Sequence, residues 1–104
     1  MQQENINPRR QSSLIGAHER RIRGHTQREH GDFISALISF RRVLRIQEYH
    51  VATPPFSTLR AVANTHNDIA DVLDEVILQL NNTDEFLVNK YRTESANHRI
   101  LGRN

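Results

Sequence analysis

No cysteine occurs among the 104 residues, which removes disulfides, zinc-thiolate sites and thiol nucleophiles from consideration. Proline and glycine are also sparse, at three and four residues, so the chain is not a low-complexity linker. No apolar run approaches the length of a membrane span, and the N-terminus lacks the apolar core of a signal peptide. The expected setting is therefore the cytosol, with no membrane partner. Catalytic signatures are missing too. There is no Gly-x-Ser-x-Gly elbow, phosphate loop, dinucleotide fingerprint or paired-histidine zinc motif. The chain is read as a non-enzyme that needs neither cofactor nor metal.

What is present is a globular balance on the polar side, with 37% hydrophobic and 25% charged residues. A chain of this length suits one domain that buries roughly 60 to 70% of its unfolded surface. Net charge is only +2, but it is unevenly distributed. Residues 9–45 hold nine Arg against Glu19, Glu29 and Asp32, a net of +6, whereas residues 46–104 hold five bases against eight acids, a net of −3. Such a split favours head-to-tail contacts or an acidic ligand on the basic half.

The most informative stretch runs from Gly31 to Glu48. Gly31 supplies the positive φ with which a preceding helix ends, and Asp32 is placed to cap the next one. Phe33, Ala36, Leu37, Phe40, Val43 and Leu44 then recur at steps of three and four and share one helical side. Ile34, Ile38 and Ile46 widen that side so far that two neighbouring helices are expected to cover it. Gly31, Asp32, Phe33, Ala36, Leu37, Phe40 and Leu44 resemble the second helix of a tetratricopeptide repeat, and the ending Arg45-Ile46-Gln47-Glu48 is similar to the longer repeats of kinesin light chains. Residues 63–73 resemble the first helix of the following repeat in that family. Gly24 falls at the small position of the earlier repeat's first helix. The sequence departs from the pattern at Ile77, where the next Gly-Asp turn would stand, and in the linker from Tyr49 to Thr58, which is longer than usual.

The expected organisation is all-α: a short antiparallel helix-turn-helix array of about four helices. Residues 1–13 form a polar tail without fixed structure, 14–80 the repeat-like segment, and 81–104 a divergent C-terminal helix. The helices are expected over Leu14 to Glu29, Phe33 to Glu48, Ser57 or Thr58 to Leu80, and Asp84 to Ile100. Thr53-Pro54-Pro55 separates the second from the third. In the third, Leu59, Val62, His66, Ile69, Leu73, Val76 and Leu80 alternate three and four apart through three heptads. Thr83 is the expected cap of the fourth, whose Leu87, Tyr91, His98 and Leu101 fall on one side. One clear unit with divergent flanks fits a segment of a longer repeat protein or a decayed copy.

The resemblance implies binding. In the family, first helices of successive repeats line a concave groove, which here assigns Asn64, Asn67, Asp71 and Asp74 on the third helix, and Arg21, His25 and Arg28 on the first, to a peptide or protein partner. Amides hydrogen-bond an extended backbone, and Arg and Asp select opposite charges along it. Other repeats or a second copy of the chain are further candidate partners. Two alternatives belong to different classes. The heptads from Leu59 to Leu80 fit a self-assembling coiled coil or bundle, and the arginines at 9, 10, 20, 21, 23 and 28 fit phosphate contacts with nucleic acid, although that segment has no aromatic residue to stack on bases. His18, His25 and His30 lack metal-ligand spacing, and His66 is read as a seam residue standing where the family has an aromatic.

Overall fold

Capping explains where each helix begins. The computed structural model describes residues 13–81 and 83–103, so residues 1–12 of the expected polar tail lie outside it. α1 spans Leu14–Glu29 and starts where the Ser13 side chain accepts a hydrogen bond from Gly16 N. α2 spans Phe33–Tyr49 behind Asp32, whose carboxylate accepts from Ser35 N, after a turn in which Gly31 has φ +78°. α3 spans Leu59–Leu80, capped by Thr58 through Ala61 N. α4 spans Glu85–Leu101 and is capped by Asp84, not Thr83; the Asp84 carboxylate accepts from Leu87 N, while the Thr83 hydroxyl donates to the Leu80 carbonyl. Each such cap stabilises its helix by about 1 kcal/mol. Glu85 in the first turn of α4, and His98 and Arg99 in its last, also complement the helix dipole.

Consecutive helices pack against each other, α1 on α2, α2 on α3 and α3 on α4. The contacts pair residues in opposite chain directions, as the positions of Gly24 on Phe40, Gln47 on Thr65 and Asp74 on Ser95 illustrate, so neighbours are antiparallel. No strand occurs among the described residues. The described residues form an all-α array of four helices.

The core lies between α2 and α3, where Ala36, Leu37, Phe40 and Leu44 meet Ile69, Val72, Leu73 and Val76. Burying a large apolar side chain of this kind stabilises by about 2 kcal/mol. α2 is covered by two neighbours, as its wide apolar arc requires, but Ile34 and Ile38 fall outside both and are 53% and 61% exposed. Two polar residues occupy part of the covered arc instead. The Ser39 hydroxyl donates to Gln27 Oε1 at 2.8 Å, and the buried Gln47 accepts from the Thr65 hydroxyl at 2.7 Å. Leu59, in the first turn of α3, and Leu101, at the end of α4, are likewise exposed. The α2–α3 connection folds back on itself: Ser57 N donates to the His50 carbonyl, and the buried His50 donates from Nδ1 to the Thr53 carbonyl at 2.8 Å.

Gly24 explains how α1 approaches so closely. A Cβ at this position would stand 2.7 Å from Phe40 Cε1, and the Phe40 ring, with 0% exposure, has nowhere to retreat. Gly24→Ala removes a helix-propensity penalty of about 1 kcal/mol, yet overpacking of this kind costs about 1–3 kcal/mol. The expected outcome is a net loss of stability of about 1 kcal/mol in urea denaturation. A gain in stability would show that α1 does not sit on Phe40.

Candidate binding surface

α3 presents one row of acids to two helices. On one side, Arg21 Nε of α1 donates to Asp68 Oδ2 at 2.8 Å, His25 Nε2 lies 3.7 Å from the same oxygen, and Arg28 stands 3.9 Å from Asp71. On the other side, Arg99 of α4 reaches Asp71 at 3.0 Å and Asp74 at 2.5 Å. These two carboxylates raise the Arg99 pKa further above its ordinary value, Asp74 through the stronger hydrogen bond. Successive acids at steps of three along α3 thus hold α1 and α4 on either flank. Side chains of α1 and α3 bridge across α2, which packs against both.

The seven residues assigned to binding from sequence divide into three sets. Arg21, His25 and Arg28 project from α1 toward α3, with His25 also packed edge-on against Phe40 at a ring distance of 5.0 Å. Asn64 is exposed on α3, and its side chain has no hydrogen-bond partner among the described residues. Asn67, Asp71 and Asp74 turn toward α4: Asn67 Nδ2 donates to the Gly102 carbonyl at 3.0 Å, and Asp74 accepts from the Ser95 hydroxyl at 2.7 Å. Asp71 and Asp74 nevertheless keep side-chain exposures of 39% and 48%. They are both fastenings for α4 and part of an open face.

Asp68 lies off the apolar stripe of α3 and yet is not solvated. It is 8% exposed and neutralised by Arg21. Gly102 is a second residue that pattern alone did not single out; a Cβ there would stand only 2.1 Å from Asn67 Oδ1, so glycine leaves room for the Asn67 amide at the end of α4.

Two hollows open on this assembly. One of about 290 Å³ lies where α1, α2 and α3 converge, lined by His25, Arg28 and Glu29 of α1, Phe33 of α2 and Glu75 of α3. Its charges are mixed, with an aromatic surface among them. The other, of about 600 Å³, lies at the opposite end of α3 and includes the exposed Val51, Leu59, Ile100 and Leu101. Among the described residues, no group of three or more His, Cys, Asp or Glu is arranged to hold a metal.

His66 occupies the seam between α3 and α4, where its Nδ1 lies 2.8 Å from His98 Nδ1. One nitrogen must donate and the other accept, so the contact holds with one imidazole neutral and breaks when both are protonated. His98 Nε2 stands 3.5 Å from Glu94, which in turn accepts from Arg41 at 2.6 Å. Burial, followed by repulsion from His98, lowers the His66 pKa below its ordinary 6.5, partly opposed by Glu48.

No family model, no curated protein and no solved structure matches this chain.

The histidine pair predicts acid sensitivity. Because the folded pKa of His66 is depressed, the unfolded chain takes up the proton first, so this contribution is complete above the ordinary 6.5 and is lost as pH falls through that value toward the folded one. Urea midpoints are expected to drop between about pH 7.5 and pH 5, and His66→Phe to flatten that slope. An unchanged slope in the variant would place the acid sensitivity elsewhere.

Proposed function

We propose that the chain is a protein–protein interaction module of the tetratricopeptide type, taking an extended peptide or a segment of a partner protein along the face shared by α1 and α3. The observation that carries this reading is the meeting of α1 and α3 over the mixed-charge hollow of His25, Arg28, Glu29, Phe33 and Glu75. A peptide lying along this face meets Arg28 and Glu75 at the hollow and reaches the exposed Asn64 about 16 Å further along α3. Arg21 and Asp68 neutralise each other and serve to set the helix spacing, so the selectivity falls to the residues around them. The helical order and the antiparallel packing of consecutive helices support a kinesin light chain-like repeat unit, and a cytosolic setting belongs to the same reading.

Self-assembly through the heptads of α3 is less well supported. His66, Ile69, Leu73 and Val76 are buried within the chain under α2 and α4. A coiled coil through that seam would have to open the fold.

The test begins with selection of displayed peptides of about twelve residues on the immobilised chain, followed by calorimetric titration of those recovered. Asn64→Ala combined with Glu75→Ala is expected to weaken binding by about tenfold or more, equivalent to about 1.4 kcal/mol, with melting unchanged. Recovery of no peptide, or equal affinity for the variant, contradicts the groove.

A further inference from the structure

The arginines of α1 and α2 fall into two classes. Those facing the rest of the molecule have carboxylates beside them: Arg21 pairs with Asp68 and Arg41 with Glu94, while Arg28 stands more loosely, 3.9 Å from Asp71. Arg20, Arg23, Arg42 and Arg45 enter no ion pair among the described residues, and the first three form one group. Helical rotation of about 100° per residue carries Arg20 and Arg23, one turn apart, onto the edge of α1 away from α3. The Gln27–Ser39 hydrogen bond of 2.8 Å fastens α1 to α2 along this same edge. Because the helices run antiparallel, moving one turn from Gln27 to Arg23 and one from Ser39 to Arg42 brings the two arginines level with each other.

Within this cluster Arg20 is the constrained member. Its Nε is shut off from solvent and has no acceptor among the described residues. Burial, reinforced by repulsion from Arg42 and Arg23, depresses its pKa, so the proximity of the three cations is felt electrostatically. Like charges gathered at one point, with a donor left unsatisfied, form a local instability that an anion would relieve.

We propose that Arg20, Arg23 and Arg42 form a receptor for one phosphoryl group carried on a peptide side chain, phosphoserine or phosphothreonine. A carboxylate would offset one of three positive charges, whereas a phosphomonoester brings nearly two negative charges and three acceptor oxygens to three guanidinium forks. The compactness of the cluster also argues for a single group. A nucleic-acid backbone is tracked by a row of cations interleaved with stacking aromatics, and α1 contains no aromatic residue. This edge lies on the other side of α1 from the α3-facing groove, and the proposal stands independently of peptide binding there.

The test follows the arginine Nε–Hε resonances of the intact chain during titration with inorganic phosphate, a phosphoserine tetrapeptide, its unphosphorylated twin and a single-stranded oligonucleotide, all at matched ionic strength. Phosphate is expected to shift the Arg20, Arg23 and Arg42 signals, and the phosphopeptide to bind about tenfold or more tightly than its twin. Arg23→Gln combined with Arg42→Gln, two exposed positions, should abolish that preference while circular dichroism stays unchanged. Equal binding of the two peptides, retention of the preference in the double variant, or tighter and steeply salt-dependent binding of the oligonucleotide would overturn the proposal. So would the absence of shifts at about 10 mM phosphate, where any site of useful strength is occupied.

Discussion

The contact of the Phe40 ring with Gly24 is the constraint on which the arrangement of the other helices depends. Phe40 is fully buried where α2 meets α1 and α3, and any side chain at Gly24 would collide with it. Glycine weakens a helix interior, but here it lets α1 approach until His25 packs against the ring edge. That approach sets the separation across which Arg21 reaches Asp68 and Arg28 faces Asp71. The charged face between α1 and α3 is thus a consequence of apolar packing beneath it.

α3 is held by different means on its different sides. Toward α2 it offers Ile69, Val72, Leu73 and Val76, and the attraction is apolar. Toward α4 the buried apolar contribution is smaller, with Val88 and Ser95 the residues of α4 that are buried. Polar contacts make up the difference: Asn67 to Gly102, Ser95 to Asp74, Arg99 to Asp71 and Asp74, and the His66–His98 pair. Directional bonds of this kind fix an orientation while contributing modestly to net stability. One of them, between two imidazoles, also makes the attachment of α4 sensitive to acid.

Much of this architecture was legible in the residues. Helix limits follow from local signals: Gly31 with Asp32, Thr58 and the Thr53-Pro54-Pro55 break all act within a turn or two, so sequence alone locates them. Periodicity likewise identified Ala36, Leu37, Phe40, Ile69 and Leu73 as a packing face. It could not say how far that face is covered, and Ile34 and Ile38 remain exposed because coverage depends on the widths and positions of neighbouring helices. The same limit hid the role of Asp68. Its burial and its pairing with Arg21 depend on how α1 and α3 align along their axes, which nothing local to either helix specifies. The seven binding assignments met a related difficulty, since Asn67, Asp71 and Asp74 fasten α4 as well as facing outward.

The most direct measurement is a nuclear Overhauser spectrum of the isotopically labelled chain, read at the Gly24 α-protons. With the glycine against the Phe40 ring, these protons should show strong cross-peaks to the Phe40 ring protons and a shift displaced from the ordinary glycine position by the ring current. Gly24 signals at their ordinary position, with no cross-peak to Phe40, would contradict the account, because α1 would then not be held beside α3 and the face they share would not exist.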